Sequence, residues 1–140
     1  KYFLDLYAGT GSLGLEAISR GAKFCYFYEI DKQVIKTLKQ NCLKICSDNC
    51  FKILESNAAE TNFKEIEHTI STVFIDPPYN LLPFRKILEN LLKSNLISNH
   101  TCIVIESRKT SNIYFPSKFK ILDERIYNKT KITFLSIKSN

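Results

Sequence analysis

Asp5-Leu6-Tyr7-Ala8-Gly9-Thr10-Gly11-Ser12-Leu13-Gly14 is the stretch that decides the fold. Residues 1–7 read as a strand and residues 12–20 as a helix, with Gly21 as its stop signal. Gly9, Gly11 and Gly14 lie between and within them at the spacing G-x-G-x-x-G. Glycine permits a tight turn there and lets a ligand approach the backbone closely. A turn of this kind calls for an acid at the end of the following strand, to hydrogen-bond ribose hydroxyls. Glu29 lies eighteen residues after Gly11 and meets that need. Motif, context and acid agree on a nucleoside-cofactor site.

The remaining elements follow outward from this unit. Residues 24–28 form an apolar and aromatic run, which suits a strand buried on both faces. Asp31 is placed to cap a helix on which Val34, Ile35, Leu38, Cys42 and Ile45 recur at helical spacing. Residues 51–54 give a third strand and 72–75 a fourth, and the polar stretch 58–68 between them is predicted to hold a short helix. Phe84, Ile87, Leu88, Leu91 and Leu92 mark another amphipathic helix. A fifth strand covers 102–105, and 110–117 is a polar loop. Residues 119–127 and 131–138 read as two strands of an antiparallel hairpin, joined by Asn128-Lys129-Thr130. The alternation predicts an α/β fold: a mostly parallel, seven-stranded twisted sheet, helices on both faces, closed by that C-terminal hairpin. With no internal repeat or linker, residues 1–140 read as one domain.

Composition sets the class. The chain is 44% hydrophobic and 24% charged, ordinary for a globular protein, and it holds no apolar run of membrane-spanning length and no signal peptide. A cytoplasmic protein without membrane partners is expected. The net charge of +6 favours a polyanionic partner, although Lys outnumbers Arg sixteen to four and no dense basic run occurs. The five cysteines are odd in number and lack a secretory signal, so reduced thiols are expected. Cys42, Cys46 and Cys50, spaced by four, would share a helix face, yet no histidine lies near them and no metal site is expected. His68 and His100 read as surface loop residues.

The chemistry lies at Asp76-Pro77-Pro78-Tyr79, directly after the fourth strand. A carboxylate, two rigid prolines and an aromatic ring make a pocket for a flat, amino-bearing group. The lone pair of such an amine is delocalised into its ring, so acceptors on its two hydrogens favour the pyramidal nitrogen that forms during attack. The Asp76 carboxylate and the Pro77 carbonyl supply them. Proline fixes its own φ and restricts its predecessor, which holds both acceptors in place. Tyr79 can stack on the ring, a contact worth about 1–3 kcal/mol per base. The bland alternative is an Asp-Pro turn that merely ends a strand.

Two resemblances sharpen this reading. Asp5-x-x-x-Gly9-x-Gly11 resembles motif I of class I S-adenosylmethionine-dependent methyltransferases, and Asp76–Tyr79 resembles the N-methyltransferase tetrapeptide. The longer run from Leu4 to Ala22, with Gly14-Leu15-Glu16-Ala17-Ile18-Ser19-Arg20-Gly21-Ala22 at its end, is similar to the signature of the bacterial RsmD family. So are Ser56-Asn57-Ala58, Phe74–Tyr79 and Val104-Ile105-Glu106-Ser107. The resemblance covers nearly the whole chain and is weakest after Lys109.

It implies a methyltransferase that uses S-adenosylmethionine to modify a guanine N2 of small-subunit ribosomal RNA. The RNA or an assembling small subunit would be the partner, and the enzyme would be a monomer. The implied catalytic residues are Asp76, Pro77 and Tyr79; the implied cofactor residues are Asp5, Gly9, Gly11, Glu29 and Asn57. Asp5 would either lie beside the amino acid half of the cofactor or orient the loop by accepting backbone N–H bonds. Asn57 stands where the family often has an acid, and its side-chain oxygen can still accept from an adenine amine. Glu16 and Arg20 read as a helix-surface ion pair. Glu106 would either approach the target or serve the sheet edge. Because Lys1 runs straight into a strand, the family's N-terminal extension is expected to be missing.

Rival readings keep the same residues. A methyltransferase for DNA adenine or a protein glutamine would use the same tetrapeptide, but no target-recognition insert is visible and glutamine enzymes typically carry Asn at the Asp76 position. An NAD-dependent oxidoreductase would use the glycine turn and leave Asp76–Tyr79 without a role. A non-catalytic RNA-binding module would have no need of the intact tetrapeptide.

Overall fold

A computed structural model describes residues 1–78 and 83–139. Seven strands form one sheet in the order β3-β2-β1-β4-β5-β7-β6: β1 Tyr2–Leu6, β2 Phe24–Glu29, β3 Phe51–Glu55, β4 Thr72–Ile75, β5 Cys102–Arg108, β6 Phe119–Tyr127 and β7 Thr130–Ile137. The first five strands in that order run parallel, and β7 is antiparallel to both β5 and β6. Among the described residues three α-helices accompany them: α1 Ser12–Ser19, α2 Lys32–Ile45 and α3 Phe84–Ser94.

Alternate side chains of each strand build two cores. On one face Cys25, Phe27 and Phe51 meet Leu15 of α1 and Leu38 and Cys42 of α2. On the other, Leu4, Leu6, Tyr26, Tyr28, Val73, Ile75, Ile103 and Ile105 pack with Ile87, Leu88 and Leu91 of α3. Four consecutive residues of β2, Cys25 to Tyr28, are buried, as a strand covered on both faces requires. Asp31 caps α2 by accepting from the Gln33 and Val34 N–H groups. The hairpin forms as expected, with Tyr127 paired to Thr130 and Asn128 at φ 54° in the turn.

Three expectations need correction. The stretch 58–68 forms turns and no helix. Asn57, Thr61 and Asn62 each accept a hydrogen bond from the N–H two residues ahead, which competes with helix formation, and Phe63 sits at φ 62°. His68 is not a bare surface residue: its ring stacks on Tyr2 at 3.9 Å between centroids, and its Nδ1 lies 2.6 Å from the Tyr26 hydroxyl. The cysteines do not share one helix face. Because α2 ends at Ile45, Cys46 and Cys50 leave the face of Cys42, and the 3-10 turn Asp48–Cys50 brings their two sulfurs together, with Cα atoms 6.3 Å apart. Cys25, Cys42 and Cys102 stay free.

Candidate active site

The strand order reverses direction between β1 and β4, because the chain winds outward from β1 to β3 and then crosses back to β4 and β5. The loops leaving β1 and β4 therefore part at their carboxyl ends, and a crevice opens between them. The glycine turn lies on one side of this point. Asp76 and Pro77 lie on the other, one and two residues beyond the Leu6–Ile75 pair.

The glycine turn is held by backbone hydrogen bonds. Ala8 N–H donates to the Tyr28 carbonyl at 2.9 Å, and Gly11 N–H donates back to the Ala8 carbonyl at 2.9 Å. Glu29 Oε1 accepts from Gly9 N–H at 2.9 Å, while its Oε2 accepts from Ile30 and Asp31 N–H, each at 3.0 Å. Glu29 thus ties the turn to the start of α2, with acceptor capacity left for a hydroxyl. Asp5 is 1% exposed and its Oδ2 accepts from Gly14 N–H at 3.1 Å, which holds the first turn of α1 against β1. Burial, and secondly the Glu29 charge, push the Asp5 carboxyl up to about 7 against the pull of the Gly14 N–H.

The three glycines differ in what demands them. Gly14 has no room for a side chain: a Cβ would run into the Phe27 ring and the Cys25 sulfur. Gly11 takes φ 93°, and a Cβ would lie 2.5 Å from Leu38 Cδ1. Gly9 takes φ 58°, and a Cβ there would meet nothing within 4 Å. The tip of the turn is therefore open, whereas its base is packed. Tyr7, which the sequence reading did not single out, also takes a left-handed φ of 62° directly at the strand end. Such a backbone conformation costs about 1–3 kcal/mol, and here it lies at the edge of the crevice. Only a backbone angle betrays it, so no sequence pattern could have found it. Asn57 is exposed beyond the end of β3, and its Oδ1 already accepts from Ala59 N–H at 2.9 Å. One lone pair of that oxygen is left for an amine.

On the β4 side, Asp76 is half-buried, Pro77 buried and Pro78 exposed. Tyr79 lies outside the described residues. Asp76 shares a cavity of about 140 Å³ with Leu13, Phe74, Ile75, Val104, Glu106 and Ile132. The Ile75–Ile105 pair places Glu106 beside Asp76 on the next strand. Burial first, then a hydrogen bond with Glu106 and the charges of Glu106 and Asp5, raise the Asp76 carboxyl to about 7. Among the assigned side chains, the crevice brings Asp76 close to the Asp5–Gly9–Glu29 group, while Asn57 stands two strands away from Asp5. Glu16 and Arg20 pair at 2.6 Å on the exposed side of α1, apart from the crevice.

No helix among the described residues is long and apolar enough to cross a membrane. The family model described as Conserved hypothetical protein 95 matches residues 1–136. A ribosomal RNA small subunit methyltransferase D from Buchnera aphidicola is 33% identical over 125 residues, which is 89% of this chain and 65% of the relative. Its counterpart from Haemophilus influenzae is 32% identical over 124 residues, 87% of this chain and 64% of the relative. The chain thus spans a little under two thirds of the length of these relatives. A conserved hypothetical protein from Streptococcus pyogenes superposes with a TM-score of 0.88 at 28% identity, over 98% of this chain and 86% of that one. The match runs through the glycine turn, the β4 tetrapeptide and the β5 strand end alike, and the chain belongs to the RsmD family, the one described as Conserved hypothetical protein 95.

Proposed function

We propose that this chain transfers a methyl group from S-adenosylmethionine to the exocyclic N2 of a guanine in small-subunit ribosomal RNA, in the cytoplasm. The observation that carries this reading is the placement of Asp76 and Pro77 across the β1–β4 crevice from an open-tipped glycine turn. A cofactor that does chemistry on an amine must lie beside it, and this arrangement puts two binding loops at adjacent strand ends.

The residues present fit the cofactor. Gly9 leaves open space at the tip of the turn, Glu29 keeps acceptor capacity after its three backbone bonds, and Asn57 keeps a lone pair. When bound, S-adenosylmethionine supplies a methyl group on a sulfonium. Glu29 accepts from ribose hydroxyls, and Asn57 from the adenine amine. Asp5 acts on the cofactor through the loop whose shape it holds.

The Asp76 carboxylate and the Pro77 carbonyl accept the two hydrogens of the guanine amine and turn its lone pair toward the crevice. Tyr79 stacks on the base. Once that methyl were supplied to the amine, the nitrogen would carry a surplus proton, and Asp76 would stand beside it to take it up. A carboxyl that titrates near 7 is suited to take it at neutral pH.

Calorimetry with S-adenosylmethionine and with NAD tests the cofactor. The reading expects binding of the first, weakened by Glu29→Ala; binding of NAD alone would sink it. Mass mapping of small-subunit ribosomal RNA from cells lacking the gene tests the substrate, with loss of one N2-methylguanine expected. An unchanged methylation pattern would remove guanine N2 as the target.

A further inference from the structure

Beyond Glu106, β5 runs on to Arg108, whose pairing with Thr130 is the last rung of the β5–β7 ladder. The chain does not leave the sheet there. Lys109 N–H donates to the Lys129 carbonyl at 2.7 Å, so the loop after β5 is fastened to the tip of the β6–β7 hairpin. Lys131 Nζ donates to the Ser111 carbonyl at 3.0 Å and ties the same loop down further along. Arg108, Lys109, Thr110 and Lys129, all exposed, line a cavity of about 500 Å³ at this corner. Among the described residues, three positive charges and no negative one border it.

Lys109 and Lys129 meet just beyond the last rung, and like charges facing each other across two strands destabilise a sheet, so fold stability gives no reason for this lysine pair. Its position does. Arg108 lies two residues beyond Glu106 and shares its strand face, about 7 Å farther along. In the sheet order, β4 with Asp76 stands between the glycine turn on β1 and this corner on β5 and β7. The cofactor loops therefore lie to one side of Asp76 and the basic corner to the other.

We propose that Arg108, Lys109 and Lys129 form a phosphate-binding rim that seats the RNA backbone next to the target nucleotide, with the Thr110 hydroxyl as a neutral donor. This rests on the reading of the chain as an RNA methyltransferase. Side-chain cations and hydroxyls of this kind fix the position of a nucleic acid without reading its bases. A nucleotide whose base enters the crevice from the side away from the cofactor runs its backbone past this corner.

The far end of the same hairpin supplies the control. Lys118 and Lys138 line another cavity there, separated from the rim by the eight-residue length of β7, about 25 Å. The test measures binding of a small-subunit ribosomal RNA transcript across a salt series, with methylation kinetics alongside. The double variant K109A/K129A is expected to flatten the plot of log affinity against log salt by about 1.4, since each single-strand phosphate contact contributes about 0.7. It should raise KM for the transcript while the affinity for S-adenosylmethionine stays as it was. K118A/K138A removes the same charge and should leave slope and KM unchanged.

If both double variants flatten the slope equally, or neither does, the rim is refuted. If the wild-type chain methylates the transcript while K109A/K129A matches it in slope and KM, the rim falls and the proposed function stands. A wild-type chain that neither binds nor methylates the transcript, or that prefers duplex DNA of equal length, overturns both.

Discussion

The loop after β1 and the loop after β4 face each other across one crevice, yet they are built on opposite principles. The β1 loop is wired: Glu29 accepts three backbone N–H groups, Asp5 accepts a fourth, and Gly14 is locked against Phe27. The β4 loop is stiffened covalently, by two consecutive prolines, and its one carboxylate is crowded by Glu106. A loop that must wrap a whole cofactor gains from many small positional constraints. A loop that must present two acceptors to one nitrogen gains from few atoms held rigidly. Removing an anchor on the first side should alter stability and binding, and removing Asp76 on the second should alter the chemical step alone.

Asp76→Ala carries the largest expected effect. Loss of one preorganised acceptor costs about 10²–10³ in kcat in comparable sites, and the affinity for S-adenosylmethionine should be retained. In the wild type, turnover should rise with pH through about 7, because the carboxyl must ionise before it can accept from the amine. Single-turnover rates with the RNA transcript check both points. Unchanged turnover in the variant would take Asp76 out of the mechanism and end the contrast between the loops.

Asp5→Asn has the next largest effect, and it reads the wired side. The Asp5 carboxyl titrates near 7 in the folded chain and at 3.8 as an ordinary Asp. Between those values the folded state holds a proton that the unfolded state lacks. Stability from this group is therefore full below about pH 4 and is lost as pH rises through 7, with a slope of up to about 1.4 kcal/mol per pH unit. Asn keeps an oxygen for Gly14 N–H and removes the titration. Urea midpoints at about pH 5 and about pH 8 should draw together in the variant relative to the wild type. Parallel midpoints would mean that Asp5 is not held protonated. Because the Asp5 charge also raises the Asp76 carboxyl, the variant should shift the Asp76 limb of the rate profile to lower pH.

The fold was legible where periodicity and position agree. Strand runs such as 24–28 and 72–75, and the spacing of Phe84, Ile87, Leu88 and Leu91, carry their own burial pattern. The stretch 58–68 was not legible, because local side-chain bonds from Asn57, Thr61 and Asn62 decide it against helix. At the site, the identities of Asp5, Gly9, Glu29 and Asp76 could be read, but not the division of labour among them. The spacing G-x-G-x-x-G treats its three glycines alike, although neighbours distant in sequence make one a packing contact and leave another open. The crowding of Asp76 by Glu106 depends on β4 and β5 being adjacent, which a separation of thirty residues along the chain conceals.

Arg20→Ala should have the smallest effect, and it locates the edge of the wired region. Glu16 and Arg20 belong to the same signature run as Gly14, with Glu16 on the same eight-residue helix and Arg20 at its C-cap. Their pair is short at 2.6 Å, yet the two side chains are 79% and 60% exposed. An exposed i,i+4 pair contributes about 0.3–0.5 kcal/mol, and salt screens even that. The variant should shift the urea midpoint correspondingly little and leave cofactor affinity and turnover intact. If turnover fell while stability held, the outer face of α1 would have a role in substrate binding. Phe3, Leu13, Ala17 and Phe74 line a groove there together with Glu16 and Arg20, and Leu13 and Phe74 also border the Asp76 cavity, so such a result would extend the site from the crevice onto that groove.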